Sequence, residues 1–222
     1  MTIFRITSIV IVLVTINIVI CQDIKVDKMS LREKIGQMIM IRIRGDFYNE
    51  ENHYRNNLKK WIKDDRIGGL ITFGGSVHGT YHNIKMFQEW SDIPLLIAAD
   101  YERGTGQWIK GGTLFPTNMA FAATENSKNA SKAGQIIAKE AEALGVHIIL
   151  APVMDVNNNP DNPIINFRSF SDSPNIVADF GTQFISGIQS GNRLACAKHF
   201  PGHGDTSMDS HLDLPILEQP SS

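Results

Sequence analysis

Residues 194–211 read L-A-C-A-K-H-F-P-G-H-G-D-T-S-M-D-S-H and join an apolar run to a loop rich in ionisable side chains. A short apolar run such as 194–197 is typical of a buried strand in a parallel sheet. The run ends at Lys198 and His199, after which glycine and proline open a loop. In α/β folds, ligands bind at the carboxyl ends of the strands. The stretch therefore predicts a parallel α/β fold with a functional site in this loop.

The loop permits three interpretations. In the first, Asp209 orients His211 and raises its basicity, so that the pair acts as general acid and base. The one-residue gap lets both side chains lie on the same side of an extended segment. In the second, His199, His203 and His211 bind zinc, although their spacing matches no strong metal signature. In the third, the loop is a structural lid whose polar side chains satisfy the backbone of its turns.

Apolar runs alternate with amphipathic segments along the rest of the chain. The predicted strands are 38–43, 69–73, 95–99, 147–153 and 194–197. The predicted helices are 54–65, 81–90, 128–144 and 175–190. Residues 126–127 and 171–173 offer N-caps, while Gly145 and Gly191 offer helix ends. This alternation implies βα units around a parallel sheet.

The composition is that of a globular protein. The chain has 222 residues, a net charge of −2 and 42% hydrophobic residues, enough to bury a large core. A near-neutral charge without a basic cluster argues against nucleic-acid binding. The two cysteines, Cys21 and Cys196, cannot form a disulfide framework. Because Cys196 lies inside the apolar run, we expect it to be a small buried hydrophobic residue.

Residues 1–22 differ from the rest of the chain. Arg5 precedes fifteen uncharged residues, a length that suits the core of a signal peptide better than a membrane span. Cys21 follows directly, as in bacterial lipoproteins, but bulky Ile20 stands where lipoprotein processing requires a small residue. We therefore expect residues 1–22 to be a signal peptide or a membrane or lipid anchor. The expected location is outside the cytoplasm, either periplasmic or membrane-anchored as a lipoprotein through Cys21.

Seven motifs resemble, in order, the bacterial β-N-acetylglucosaminidase branch of glycoside hydrolase family 3. The most specific is the loop itself, K-H-F-P-G-H-G-D-T-S-M-D-S-H-L-D-L-P at 198–215. The others are M-S-L-R-E-K-I-G-Q-M at 29–38, G-G-L-I-T-F at 68–73, D-Y-E-R-G at 100–104, F-P-T-N-M-A-F-A-A-T at 115–124, A-P-V-M-D-V at 151–156 and N-F-R-S-F at 166–170. The resemblance covers essentially the whole chain after about residue 28.

The resemblance implies a TIM-type (β/α)8 barrel. Such a barrel needs eight strands and typically about 250 residues, whereas five strands are predicted here. We therefore expect residues 23–222 to be an incomplete N-terminal barrel domain, truncated after about five βα units. The family's retaining mechanism uses a carboxylate nucleophile, which the resemblance places after the seventh strand. The chain as given is accordingly expected to lack the nucleophile and to be inactive by itself.

The resemblance also implies the site residues. Asp209 and His211 match an acid/base dyad in which imidazole replaces the second carboxylic acid of most glycosidases. The implied sugar-binding residues are Asp100, Arg168, Lys198 and His199. Of these, Lys198 and His199 are expected to donate hydrogen bonds to sugar hydroxyls.

Other interpretations of single residues stay open. Asp100 could cap a helix, and Arg168 could pair with Asp155 or Asp172. Asp155 is itself expected to order the loop around it. Trp108 stands where related sequences often carry an arginine that contacts substrate, and a tryptophan there could only stack on a sugar face.

The implied activity is removal of terminal β-linked N-acetylglucosamine from cell-wall muropeptides or chito-oligosaccharides. No metal or organic cofactor is implied. A phosphorylase is one alternative, because a neutral imidazole repels an incoming phosphate less than a carboxylate would. A non-catalytic sugar-binding protein is another, because the binding residues are present and the nucleophile is not.

Overall fold

The computed structural model describes residues 26–214 and 216, and their core is a five-stranded parallel sheet. The strands are β1 (Met40–Gly45), β2 (Gly69–Gly75), β3 (Leu96–Ala99), β4 (Ile148–Ile149) and β5 (Leu194–Ala195). The helices are α1 (Leu31–Gln37), α2 (His53–Lys63), α3 (Val77–Trp90), α4 (Asn118–Ala122), α5 (Lys128–Leu144) and α6 (Pro174–Ser190). Each strand pairs with its neighbours in sequence, in the order β1-β2-β3-β4-β5. The expected α/β fold is confirmed, with five parallel strands, of which the first four are each followed by a helix, consistent with part of a TIM-type barrel.

Alternation along the strands gives the sheet two different faces. In β2, Leu70 and Thr72 are fully buried, whereas Ile71 and Phe73 are only half-buried. Leu70 belongs to the same core cluster as Phe87 of α3, so helices cover that face. Successive strand side chains point to opposite faces, so the second face is the one left more open.

Local signals account for the main helix ends. Ser30 and Glu33 form a capping box at the start of α1, each side chain accepting from the backbone N–H of the other residue. Gly145 ends α5 with φ 81°, a left-handed conformation that glycine adopts without strain, as the sequence predicted. α5 and α6 pack closely, since a Cβ on Gly187 would lie 2.1 Å from the carbonyl oxygen of Ser131.

Three of the predicted strands, 95–99, 147–153 and 194–197, are shorter in the structure than expected. The prediction of 147–153 is reduced to Ile148–Ile149, because Pro152 has no N–H to continue the ladder. Val153 makes only an isolated bridge with Lys198. The helices α1 and α4 were not predicted, although the Ser30–Glu33 pair is a signal for the first.

The expectation of a buried fifth strand is wrong. Leu194 is 57% exposed and Cys196 is exposed, so Cys196 is not a buried hydrophobic residue. β5 pairs only with β4 among the described residues, which leaves its far edge and one face uncovered. An apolar run indicates a strand, but burial on both faces requires neighbours that the run does not specify.

Within the described ranges, no helix combines the length and apolar character needed to cross a membrane. The leader expected at residues 1–22, including Cys21, lies outside the described residues.

Candidate functional site

Four charged side chains meet at the carboxyl end of the sheet. Lys198 Nζ lies 2.6 Å from Asp100 Oδ1 and 2.7 Å from Glu102 Oε1. Arg168 forms a bidentate ion pair with Glu102, in which Nε lies 3.0 Å from Oε2 and Nη2 lies 2.7 Å from Oε1. Two cations and two carboxylates therefore form one balanced network, which we call the charged cluster (Asp100, Glu102, Arg168 and Lys198).

The chain reaches this cluster from three places in the sheet. Asp100 directly follows β3, and Arg168 lies in the 3-10 helix Asn166–Arg168 after β4. Lys198 follows β5, where its backbone N–H donates to Pro152 O at 3.1 Å and its carbonyl accepts from Met154 N at 2.6 Å. Asn118 Nδ2 fixes the Arg168 backbone by donating to its carbonyl oxygen at 2.7 Å.

The electrostatics of the cluster hold Glu102 ionised. Burial by itself raises the pKa of Glu102, but the hydrogen bonds and charges of Arg168 and Lys198 outweigh burial and leave that pKa below its usual value. Burial likewise disfavours the charged form of Arg168, and the contacts with Glu102 reverse this and raise the pKa of the guanidinium. Each partner thus keeps the other charged.

Two alternative interpretations from the sequence are wrong. Asp100 caps no helix; the 3-10 helix that follows begins at Thr105 and has Gly104 at its N-cap. Arg168 pairs with Glu102 and not with Asp155 or Asp172. Glu102 was not identified from the sequence as a central residue. A signal was present, because a spacing of two residues at a strand end places Asp100 and Glu102 on the same side of the chain.

Asp155 orders the loop after β5, as expected. Its Oδ2 accepts from His199 Nδ1 at 2.6 Å and from the His199 backbone N–H at 3.2 Å. Its Oδ1 accepts from the backbone N–H of His203 at 2.6 Å. Burial raises the pKa of Asp155, but these hydrogen bonds more than offset burial and leave the pKa lowered. A buried, ionised carboxylate therefore anchors the loop at two points.

His203 is a second loop anchor that the sequence did not identify. It is buried, and its Nδ1 lies 2.6 Å from Thr206 Oγ1 while its Nε2 lies 2.9 Å from Ser210 Oγ. Ser210 stands between Asp209 and His211 in the sequence, so this ring contacts the loop next to both members of the predicted dyad. Both ring nitrogens of His203 are occupied.

The zinc interpretation finds no support in this geometry. His199 Nδ1 is engaged by Asp155, and His211 Nδ1 by Asp209. Across the described part of the chain, no group of three or more His, Cys, Asp or Glu side chains is placed to hold a metal ion.

The structure brings Asp209 and His211 together. His211 Nδ1 lies 2.7 Å from Asp209 Oδ1, and the His211 backbone N–H donates to the same oxygen at 2.9 Å. That backbone contact, followed by the His211 side chain, lowers the pKa of Asp209. His211 is 73% exposed, and no described hydrogen bond or ion pair joins this pair to the charged cluster. The dyad therefore exists as a local unit on an open loop.

Trp108 lies directly beside the charged cluster. Its indole N–H donates to the backbone oxygen of Asp100 at 2.9 Å, and its ring packs edge-on against Phe73 with centroids 5.3 Å apart. The loop that carries it is tied to α5 by Thr105 and Thr113, which both donate to Glu140. Trp108 is 37% exposed, so part of a fixed aromatic ring borders the site.

A cavity of about 770 Å³ opens nearby, at the carboxyl ends of β1 and β2. Arg44, His78 and Lys110 are among its lining residues, but none of the charged cluster is. We place the site at the charged cluster, since convergent buried charges are a stronger sign of chemistry than the size of a neighbouring hollow.

Residues 30–222 match the family described as "Glycosyl hydrolase family 3 N terminal domain". The chain is 38% identical over 174 residues to "Beta-hexosaminidase A" of Pseudoalteromonas piscicida, covering 72% of this chain and 29% of that protein. The matched part thus spans less than a third of that relative's length.

Two solved structures share the fold. One is a glycoside hydrolase family 3 beta-N-acetylglucosaminidase from Paenibacillus sp., with 35% identity and a TM-score of 0.76 over 84% of this chain and 36% of that one. The other is a beta-glucoside phosphorylase, with 29% identity and a TM-score of 0.76 over 83% of this chain and 32% of that one.

Proposed function

Because the chain belongs to glycosyl hydrolase family 3, we propose that it carries the sugar-binding and acid/base part of a retaining exo-β-N-acetylglucosaminidase site. The observation that carries the proposal is the charged cluster. Its carboxylates are acceptors and its cations are donors, a complementary set for the hydroxyl groups of a terminal sugar. The hexosaminidase and N-acetylglucosaminidase named among the relatives support the substrate class.

Each side chain has a chemical role in this proposal. Asp100 accepts from sugar hydroxyls, while Arg168 and Lys198 donate to them. His211, oriented by Asp209, protonates the leaving oxygen and then activates the incoming water. A carboxylate nucleophile completes the retaining reaction, and the resemblance places it after a seventh strand, beyond the five described here.

The assay that tests the proposal uses the purified gene product that contains this chain. We expect release of N-acetylglucosamine from chitobiose and from an aryl N-acetylglucosaminide. Failure to cleave either substrate, with intact folding, would reject the glycosidase. The same assay on the polypeptide of residues 1–222 tests the expectation that the nucleophile lies elsewhere; turnover there would place it within these residues.

His211→Ala should separate substrates by their leaving groups. Loss of the general acid should slow cleavage of chitobiose by roughly 10²–10⁴-fold, and cleavage of an activated aryl glycoside by much less, since a good leaving group needs little protonation. Asp209→Ala should show the same pattern more weakly, because it removes only the orienting partner. Equal losses on both substrates would argue against His211 as the acid.

A phosphorylase is the second candidate, and one solved relative bears that name. The described loop offers the imidazole of His211, and an imidazole repels an incoming phosphate less than a carboxylate in its place would. Measuring the products with and without phosphate separates the two reactions: a phosphorylase releases the sugar 1-phosphate. Binding of N-acetylglucosamine without any turnover in the gene product would instead favour a sugar-binding protein.

We also propose that residues 1–22 direct the protein out of the cytoplasm, as a cleaved signal peptide or through a lipid on Cys21. The charge and length pattern of this segment supports export. Mass spectrometry of the mature N-terminus distinguishes the two, since a lipid on Cys21 adds its own mass.

A further inference from the structure

The ring of His199 has one nitrogen fixed by a buried anion. His199 Nδ1 lies 2.6 Å from Asp155 Oδ2, and the Asp155 side chain is almost fully shielded from solvent. Asp155 already accepts two backbone N–H groups, from His199 and from His203. An ionised carboxylate has no proton to give, so the hydrogen of this short contact belongs to His199 Nδ1.

The other nitrogen faces a group that can only donate. His199 Nε2 lies 3.4 Å from Arg168 Nη2, and a guanidinium has no acceptor. With the proton on Nδ1, neutral Nε2 presents a lone pair, which suits this neighbour. Asp155 and Arg168 thus select the same tautomer from opposite sides. At 3.4 Å the contact is long, which leaves the lone pair available to a closer donor.

We propose that His199 recognises a sugar hydroxyl by accepting its proton, and that Asp155 is the positioning residue that sets this tautomer. The proposal rests on the function proposed above, and it names a free hydroxyl group of the sugar as the group that His199 recognises. It also reverses the expectation from the sequence that His199 donates.

The consequence is selectivity for a free hydroxyl. Lys198 and Arg168 stand beside His199 and can only donate. A hydroxyl satisfies both kinds of neighbour at once, because it accepts from a cation and donates to His199. A fluorine or methoxy group of similar size can accept but cannot donate, so it leaves Nε2 unpaired.

The tautomer can be observed directly. Long-range ¹H–¹⁵N spectra of the ¹⁵N-histidine-labelled gene product distinguish protonated from unprotonated ring nitrogens, and His199→Gln assigns the signals. We expect His199 as the Nδ1–H tautomer, shifting toward Nε2–H in Asp155→Asn. Asp209→Asn, which alters the exposed histidine–aspartate pair instead, should leave the His199 signals unchanged.

An Nε2–H tautomer in the unsubstituted protein would overturn the role given to Asp155. If Asp155→Asn fails to fold, the spectrum of the unsubstituted protein decides the question without it.

Binding tests the acceptor role. N-acetylglucosamine and its 3-, 4- and 6-deoxyfluoro analogues would be titrated by calorimetry. We expect at least one analogue to bind about 5- to 100-fold more weakly than the parent sugar, the range for leaving a buried polar group unpaired. That penalty should disappear in His199→Ala and persist in Lys198→Ala, where the acceptor is intact.

The outcomes are separable from those of the proposed function. If N-acetylglucosamine binds and all three fluoro analogues bind as tightly, the acceptor role is overturned. If N-acetylglucosamine itself does not bind, the proposed function and the hydroxyl contact both fail, and the tautomer spectrum alone judges the role of Asp155.

Discussion

Glu102 shows at the scale of a single residue how the site is held. It is 5% exposed and touches both cations of the charged cluster. Among the described ion pairs, Glu102 is the only carboxylate partner of Arg168, whereas Lys198 also pairs with Asp100. A buried ion pair adds little net stability, because removing both charges from water is costly. Removing only one partner is strongly destabilising, because it leaves the other charge buried without a counter-charge.

Glu102→Gln should therefore destabilise the protein by about 3 kcal/mol, since it keeps the shape and removes the anion. Urea denaturation measures the change as a shift of the midpoint at constant slope. Glu142→Gln is the matched control: its contact with Arg193 is 3.7 Å long and solvent-exposed, so its loss should cost less than about 1 kcal/mol. Equal effects would contradict the central role of Glu102.

The free energy of unfolding should also depend on pH, because Glu102 and Asp155 titrate at different pH in the folded and unfolded protein. Both have a pKa lowered in the folded protein, from ordinary values of 4.5 and 3.8. A carboxyl group whose pKa is depressed by folding stabilises the fold above its unfolded pKa, and this contribution is lost as pH falls through the folded pKa. We expect full stability at neutral pH and a decline below these ordinary values.

Urea midpoints measured from neutral pH into this acid range would follow the decline. In Asp155→Asn the curve should start lower and fall less steeply, since one of the two responsible groups is gone. The exposed Asp64→Asn should keep the parent curve. An unchanged slope in Asp155→Asn would show that Asp155 is not one of the titrating groups.

At the scale of elements, two loops brace each other. Asn162 is buried and its Nδ2 donates to His203 O at 2.7 Å and to Gly204 O at 3.1 Å. Its Oδ1 accepts from the backbone N–H of Ile164 and Ile165. One side chain thus joins the loop after β4 to the loop after β5, which carries the predicted dyad.

Asn162→Ala should loosen the second loop by leaving these buried backbone groups without partners. We expect a loss of about 2–3 kcal/mol in stability and faster amide hydrogen exchange at residues 203–206. Asn158→Ala, an exposed change in the same loop, should leave that exchange unaltered. Unchanged protection in Asn162→Ala would mean that Asp155 and the ring of His203 hold the loop alone.

The same scale shows what a sequence can predict. α5 was predicted at its observed ends, because its amphipathic pattern and Gly145 are both local signals. The predicted β4 is too long because the apolar run contains Pro152, which has no N–H to extend the strand. The partners of Arg168 were missed, since Glu102 is 66 residues away and only the assembled strand ends bring them together. The motifs named three of the four residues of the charged cluster, Asp100, Arg168 and Lys198, but they did not reveal which charges meet.

At the scale of the whole molecule, the exposed apolar side chains of the sheet and the unpaired edge of β5 favour self-association of the described part of the chain. Leu96 and Leu194 are at least half exposed on β3 and β5. An exposed edge strand offers unpaired N–H and C=O groups to another chain, and apolar side chains strengthen such pairing.

The polypeptide of residues 1–222 should accordingly self-associate when produced alone. Leu194→Lys should reduce this association, because a charge on an edge strand opposes pairing. Leu212→Lys makes the same chemical change at an exposed loop position and should have little effect. Light scattering against concentration compares them. Equal effects of the two variants would assign the association to general charge and not to the β5 edge.

The order of the strands in the sheet follows their order in the chain from β1 to β5, so the strands are synthesised in the order in which they pair. During translation, at about 5–20 residues per second, each new strand emerges after the neighbour on which it will pair. None of the five described strands inserts between two strands that were made earlier. Lys198 follows Asp100 by 98 residues, so the aspartate stays without its lysine for roughly 5–20 seconds of synthesis. The charged cluster is therefore complete only after the last of the five described strands has been synthesised.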